Sequence, residues 1–191
     1  MPPTVIIVSG PPATGKTAIA GQLAARLHLP VLGRDRIKES LFDVLGWDDR
    51  EWSKTLGVAA AAALFALLAD TLAAGADCIA ESTFRPGHST SDFRKVLAGT
   101  GARAIQIQCV TDGPALLARF AARSATADRH PGHRDEHNLD EFHDELMAGR
   151  YQPLDLPGPV ITVDTTDFAT LDLAALATQL TNLLHTAEEA V

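Results

Sequence analysis

Eight residues near the start of the chain, Gly10 to Thr17, read GPPATGKT and fit the Walker A pattern G-x-x-x-x-G-K-[ST]. A β-branched run precedes them and a helical pattern follows, which is the context that a phosphate-binding loop (P-loop) requires. Backbone N–H groups from Ala13 through Thr14 to Thr17 can surround a polyphosphate, and the helix N-terminus adds about half a positive charge. Gly10 and Gly15 permit the tight turn.

Two side chains of this loop carry further chemistry. Lys16 is expected to place its ammonium near the β- and γ-phosphates of a nucleotide. The hydroxyl of Thr17 is expected to bind a Mg²⁺ ion that bridges the same oxygens. Pro11 and Pro12 lack N–H groups, so the donors of the loop must begin at residue 13. A loop of this kind serves kinases, GTPases, motor ATPases and switches alike, so it does not by itself give the reaction.

Asp35 is a candidate catalytic base. It stands where the second predicted strand ends and a helix begins, at the edge of the sheet that also carries the P-loop. A carboxylate there could accept the proton of an incoming hydroxyl and hold that hydroxyl in line with the γ-phosphate. It could equally serve only as the N-cap of its helix. The residues alone leave both roles open.

Arginines are concentrated in the segment from residue 119 to residue 134. Arg119 and Arg123 are four residues apart, so they share one helix face and could reach one anion together. Because phosphoryl transfer spreads charge over the γ-phosphoryl oxygens, a guanidinium suits that position once a flap closes and water leaves. Arg123 is the first candidate for this role and Arg129 the second. Residues 119–138 are predicted to form this short lid, and the least regular stretch within it is 124–138.

The lid and the residues after it also contain histidines and acids. His130 and His133, with Asp135 and His137 nearby, could suggest zinc, but no cysteine lies close and Pro131-Gly132 predicts a turn. A packing loop is therefore the favoured interpretation. The acids are expected to form a solvated face, with recognition of a cationic substrate as a weaker alternative; they are Asp135, Glu136, Asp140, Glu141, Asp144 and Glu145.

Strand-like and helical segments alternate along the whole chain and so position these residues. Alternation of this kind predicts a parallel, doubly wound α/β sheet with ligands outside the carboxyl ends of the strands. The chain is predicted to form a single domain over residues 1–191. The predicted strands are Thr4–Ser9, Pro30–Gly33, Cys78–Ser82, Ala102–Val110 and Val160–Asp164; the predicted helices are 16–28, 35–45, 49–74, 91–97, 113–123, 139–148 and 171–185.

Composition excludes several classes of protein. The chain has 191 residues, 46% of them hydrophobic and 21% charged, which is typical of one globular domain and not of a disordered or fibrous chain. A net charge of −8 argues against a wide nucleic-acid-binding surface. The longest uninterrupted apolar stretch, residues 58–69, is shorter than the roughly 20 residues that cross a bilayer, so no membrane span is expected.

The N-terminal residues and the two cysteines bear on localisation. The first residues lack a cationic region and a long apolar run, so no secretory signal peptide is expected. Cys78 and Cys109 lie in apolar runs and are expected to be reduced core residues. A cytoplasmic protein follows as the prediction.

Four segments together resemble the small P-loop kinases of the polynucleotide-kinase-like group, with zeta toxins and chloramphenicol phosphotransferase as more distant relatives. The resemblance covers residues 4 to about 134, with a plausible last strand near residues 160–165. It implies a three-layer P-loop NTPase sandwich, a five-stranded parallel sheet with helices on both faces. The segments are the P-loop, Arg34-Asp35-Arg36-Ile37-Lys38, the strand end Ile79–Phe84 and the pair Arg119 and Arg123.

The resemblance also implies roles. Asp35 is the general base for a substrate hydroxyl, Arg34 or Lys38 contacts the substrate or its phosphate, and a lid arginine closes over the nucleotide. These families usually have an aspartate at the end of the third strand, where this chain has Glu81. A glutamate can still bind the hydration shell of the metal or reach the substrate, so its role stays open. Thr83 and Arg85 follow on the same side as further candidate substrate contacts, with a solvated arginine at the start of a surface loop as the alternative for Arg85.

The sequence therefore predicts a kinase that uses ATP and Mg²⁺ to phosphorylate a hydroxyl group. The predicted acceptor is a small molecule, a nucleoside or a 5′-hydroxyl end, because the acidic charge disfavours extended nucleic acid. No membrane partner is expected, and a monomer or homodimer is predicted. The alternative is a nucleotide-binding regulatory or toxin-like ATPase module, in which the lid moves on hydrolysis and a protein partner recognises it.

Overall fold

Five strands and seven helices alternate along the parts of the chain that the structure, a computed structural model, describes: residues 1–124, 130–133 and 139–186. Short 3-10 turns lie at Pro131–His133 and Phe168–Thr170. The strands are β1 (Thr4–Ser9), β2 (Val31–Gly33), β3 (Cys78–Glu81), β4 (Arg103–Val110) and β5 (Val160–Asp164). The helices are α1 (Lys16–Leu27), α2 (Arg34–Leu45), α3 (Arg50–Ala73), α4 (Pro86–Thr100), α5 (Gly113–Ser124), α6 (Leu139–Ala148) and α7 (Leu173–His185).

The five strands form one parallel sheet in the order β2-β3-β1-β4-β5. This arrangement confirms the predicted five-stranded parallel α/β fold. Strand β1 lies between β3 and β4, so strands are added on both sides of it. Sheets of this kind bind ligands in the crevice at the carboxyl end of such a strand. Every residue of β1 is buried, as expected of a strand covered on both faces.

Alternating side chains of the strands supply two separate cores. One face, with Ile6 and Ile107, packs against α1 and α7. The opposite face, with Ile7 and Ala80, packs against α3 and α4. A smaller cluster of Leu116, Phe120 and Leu146 joins α5 to α6. Helices therefore cover both faces of the sheet and leave the strand ends to the functional loops.

Helix α3 corrects the sequence prediction about membrane spans. Although its uninterrupted apolar run is short, its 24 residues are long and apolar enough to cross a bilayer by length and composition alone. The core helix of a globular protein passes the same test. Only 28% of the apolar window of α3 is buried, and the buried side includes Leu64 and Leu68 of the second core.

Helix α4 is longer than the sequence pattern predicted. The pattern indicated residues 91–97, whereas the helix runs from Pro86 to Thr100. Its first turn contains Gly87 and His88, which are weak helix formers without apolar periodicity. Pro86 occupies the first turn, where its fixed φ suits a helix and its missing N–H costs nothing.

The two cysteines are buried, free thiols on opposite faces of the sheet. Burial raises the pKa of Cys78 and of Cys109 to about 12. At pH 8 we therefore expect Ellman's reagent to modify the folded protein about 10³-fold more slowly than the urea-unfolded chain, because the thiolate is the reactive form. Rapid modification of either thiol in the folded protein would contradict this packing.

Candidate active site

The P-loop folds around the carbonyl oxygen of Pro11. The Thr14 hydroxyl donates to that oxygen at 2.9 Å, and the Lys16 ammonium donates to it at 3.1 Å. Ala13 and Gly15 have positive φ values of 63° and 79°. In the described part of the chain no side chain caps α1, whose N-cap residue is Gly15. The first amides of α1 are thus available to an anion, as a phosphate site requires.

An aromatic residue far along the chain closes one side of the loop. The Phe168 ring lies so close to Gly15 that a Cβ atom on Gly15 would meet its Cζ at 1.9 Å. Arg119 places its guanidinium carbon 5.5 Å from the centre of the same ring. It also donates to the carbonyl oxygens of Thr165, at 2.8 Å, and Thr166, at 2.6 Å. The P-loop, α5 and the segment after β5 therefore meet at one point.

Buried charges surround Lys16. Burial lowers the pKa of the Lys16 ammonium, while the carboxylates of Glu81 and Asp35 act to raise it. Burial likewise raises the pKa of Glu81, whereas Lys16 acts to lower it. The Glu81 carboxylate is hydrogen-bonded to the side chain of Thr17. Lys16, Thr17, Glu81 and Asp35 are thus brought together at the carboxyl ends of β1, β3 and β2.

Asp35 lies in the first turn of α2, directly after β2. Its side chain is 40% exposed. The N-cap of α2 is Gly33, so Asp35 is not the cap that the alternative interpretation proposed. The neighbouring Arg34 approaches the Asp35 carboxylate at 3.9 Å and donates to the Thr83 hydroxyl at 3.2 Å. Two predicted substrate residues thus contact each other beside the candidate base.

The 131–133 turn is packed against α2, the helix that carries Asp35. His133, almost fully buried, is 2.8 Å from Glu39 through its Nε2 atom. Ser53 of α3 donates to the Gly132 carbonyl at 3.0 Å and accepts from the Lys38 ammonium at 2.9 Å. Lys38 is therefore buried within this junction. The turn and the start of α3 together fix the helix on which the candidate base stands.

Gly132 is needed in this junction because a Cβ atom there would lie 2.7 Å from the Phe42 ring. We expect Gly132→Ala to lower the free energy of unfolding by about 1–3 kcal/mol, the usual cost of overpacking. Urea denaturation measures it. Adding Gly132→Ala should lower the free energy of unfolding less in a Phe42→Leu background than in the wild type, because the smaller leucine leaves room for the added methyl group. If Gly132→Ala is as stable as the wild type, the turn does not lie against Phe42.

Helix α6 is tied to two other elements by ion pairs. One guanidinium nitrogen of Arg85, just after β3, contacts both carboxylate oxygens of Glu145, at 3.0 and 2.7 Å. Arg50, at the start of α3, pairs with Glu141 at 2.8 Å. Glu141 and Glu145 thus do not belong to a purely solvated face, as the charge pattern had suggested, whereas Asp144 is fully exposed.

The two lid arginines that the structure describes have different neighbours. Arg119 contacts the segment after β5, as above. Burial is the main cause that lowers the pKa of Lys16, and the charge of Arg123 adds to this effect. The guanidinium carbon of Arg123 lies 5.2 Å from the centre of the Phe120 ring. Shared binding of one anion by the pair stays a prediction. Arg129, Asp135 and His137 lie outside the residues that the structure describes. Within the described residues, no three His, Cys, Asp or Glu side chains cluster into a metal site.

Sequence reasoning missed Phe168 and Ser53, and it assigned Glu145 to a solvated face. Each contacts a predicted site residue from a distance of 15 to 153 positions along the chain, so no local pattern pointed to it. A weak signal existed for Phe168. Phe168 follows the predicted strand Val160–Asp164, whose carboxyl end belongs to the edge of the sheet where ligands were expected.

Comparisons with known proteins agree with this geometry. A family model described as AAA domain matches residues 5–148, about three quarters of the chain. A crystal structure described as a "putative kinase" from Chloroflexus aurantiacus J-10-fl is 39% identical, with a TM-score of 0.88 and coverage of 95% of this chain and 98% of that one. A search of curated proteins found no match.

Two more distant structures share the fold alone. The APS kinase CysC of Mycobacterium tuberculosis, in complex with AMPPNP and APS, is 16% identical with a TM-score of 0.56, and the match covers 95% of this chain and 97% of that one. YorR of Bacillus subtilis, in complex with phosphorylated GDP, is 17% identical with a TM-score of 0.52, and the match covers 98% and 99% of the two chains. The fold is therefore a kinase-like P-loop fold.

Proposed function

The chain belongs to the AAA domain family, and from that premise we propose that it is an ATP-dependent kinase that transfers the γ-phosphate to a hydroxyl group of a small molecule. The observation that carries this proposal is the convergence of Lys16, Glu81 and Asp35 at the carboxyl ends of β1, β3 and β2. A site that only binds a nucleotide and its metal needs one carboxylate, the role proposed for Glu81, and no second one such as Asp35. A transferase needs one to receive a proton. Membership of the polynucleotide-kinase-like group is part of the same proposal.

The P-loop holds the nucleotide in this proposal. The free amides at the start of α1 bind its phosphates. Lys16 exchanges its contact with the Pro11 carbonyl for phosphate oxygens that carry more negative charge. Arg119 and Phe168 bind the base at the side of the loop, since a guanidinium and an aromatic ring offer flat faces there.

Thr17 and Glu81 fit a Mg²⁺ ion. A hydroxyl and a carboxylate are both oxygen donors of the kind that Mg²⁺ prefers, and their mutual hydrogen bond directs them to one point. When bound, Mg²⁺ neutralises charge on the β- and γ-phosphate oxygens. Glu81 is buried, and it would be held in its ionised form by a cation there.

Asp35 orients the acceptor hydroxyl and takes its proton, while Arg123 faces the charge that develops on the migrating group. Arg34, Thr83, Lys38 and Arg85 are proposed as the acceptor side of the site. Arg34 and Thr83 already contact each other, so an acceptor can be recognised by a preformed pair. Arg129 is proposed as a second lid cation.

Incubation with γ-labelled ATP, Mg²⁺ and a panel of hydroxyl compounds tests the proposal. The panel includes sugars, polyols, nucleosides and an oligonucleotide with a 5′-hydroxyl end. We expect label transfer that depends on one class of acceptor and on Mg²⁺. Slow release of inorganic phosphate that no acceptor accelerates would instead favour the nucleotide-binding module.

A further inference from the structure

Polar side chains lie in the layer between the sheet and helices α3 and α4, where the rest of the core is apolar. On β4, Ala104 faces this layer, and by strand alternation Gln106 and Gln108 do so too. Ser9 of β1 is in register with Gln108. Ser82, on the far side of β1, continues the β3 ladder by donating its backbone N–H to the Val8 carbonyl. Ser82 and Gln108 thus flank Ser9.

The two glutamines of β4 differ sharply in their hydrogen bonding. Gln106 donates to the Leu154 carbonyl at 3.0 Å and accepts from the Leu154 N–H at 2.8 Å, so its amide is satisfied. Gln108 is only 3% exposed, yet neither its Nε2 nor its Oε1 atom has a partner among the described residues. The buried hydroxyl of Ser82 also lacks a partner there. Buried polar atoms of this kind are rare unless a ligand or water binds them.

Tyr151 brings a further polar atom to this layer. Its segment is joined to β4 at both ends, by the bond from the Thr111 N–H to the Gly149 carbonyl and by the contacts between Gln106 and Leu154. The Tyr151 ring lies 5.8 Å from the guanidinium carbon of Arg85. Its hydroxyl is buried, again without a partner among the described residues.

The chemistry of these groups defines what they can bind. A glutamine amide and two hydroxyls carry no charge, and together they offer both donors and acceptors. Arg85, the cation beside the Tyr151 ring, is paired with Glu145. A neutral oxygen that both donates and accepts hydrogen bonds matches them, whereas an anion or a cation does not.

We propose that Ser82, Gln108 and Tyr151 form a buried polar subsite that binds neutral hydroxyl oxygens. The oxygens belong either to internal water or to the distal hydroxyl groups of the acceptor, and this second source rests on the proposed function. Ser82 directly precedes Thr83, which contacts Arg34 beside Asp35, so the subsite adjoins the acceptor side of the site. An acceptor that reaches it carries several hydroxyl groups.

A crystal structure of the ligand-free protein tests the subsite without any turnover. We expect ordered water within about 3.2 Å of the Gln108 amide and of the Ser82 or Tyr151 hydroxyl. This water should be lost in Gln108→Met, which keeps the side-chain length but removes the amide. Its occupancy should be reduced in Tyr151→Phe, which replaces Gln108→Met as the test variant if that protein does not fold. A dry layer, or a Gln108 amide paired with protein atoms, overturns the proposal.

Kinetics with the acceptor from the panel separate the two sources. If the acceptor occupies the subsite, Gln108→Met raises its KM about tenfold and leaves the KM for ATP unchanged, and the complex shows an acceptor oxygen in place of water. If water alone occupies it, the acceptor KM is unchanged while the ordered water persists in the complex. If no hydroxyl compound is phosphorylated, the proposed function fails, and the crystal structure still decides the subsite.

Discussion

Replacing Asp35 with asparagine is expected to lower kcat for phosphoryl transfer by about 10²–10⁴-fold, the range that a positioned general base supplies. Asparagine keeps the size of the side chain and its place in the first turn of α2, but it cannot take a proton. Gly33 and not Asp35 caps α2, so the substitution removes no capping bond. Nucleotide affinity should change little, since the P-loop is untouched.

The measurement is initial-rate transfer of label to the acceptor, together with the Kd of a non-hydrolysable ATP analogue. Asp70→Asn is the matched control, because Asp70 is an exposed residue of α3 remote from the P-loop sequence. Full activity in Asp35→Asn would remove the base from the mechanism. Loss of analogue binding along with activity would show instead that Asp35 supports the nucleotide site.

Much of this arrangement could be predicted because the determinants are local. The P-loop has a fixed spacing and lies between β1 and α1, and the end of β2 identified Asp35 from chain order alone. The family resemblance drew attention to Glu81 at the end of the third strand, and parallel strands bring their carboxyl ends to one edge of a sheet. The buried charges around Lys16 agree with this placement of Glu81.

Other features depend on long-range packing and could not be predicted. Glu145 was assigned to a solvated face because it lies in an acidic run, and its pairing with Arg85 depends on where α6 docks. The hydrogen bonds of Ser53 to Lys38 and to Gly132 join three segments that no periodicity relates. Gln106 and Gln108 alternate with apolar residues along β4, and only the burial of Gln108 without partners made it informative.

Replacing Lys16 with methionine is expected to lower kcat by about 10²–10³-fold, the usual effect of removing one preorganised charged donor. The side chain is only 7% exposed, and methionine has a similar length, so the loop should keep its packing. The nucleotide loses the ammonium that would otherwise contact its β- and γ-phosphates. The Kd of the ATP analogue should therefore rise as well, in contrast to Asp35→Asn. Lys95→Met, at an exposed position of α4, is the matched control.

The same variant tests the coupling between the buried charges. Burial raises the pKa of Glu81 and Lys16 acts to lower it, so the pKa of Glu81 should rise further when Lys16 is removed. At pH 8 an ionised Glu81 would then be buried without its cation, which lowers the free energy of unfolding. The double variant Lys16→Met, Glu81→Gln removes that charge and should be more stable than Lys16→Met alone. Equal urea midpoints for the single and double variants would mean that the two charges do not face each other, and the convergence on which the kinase proposal depends would be wrong.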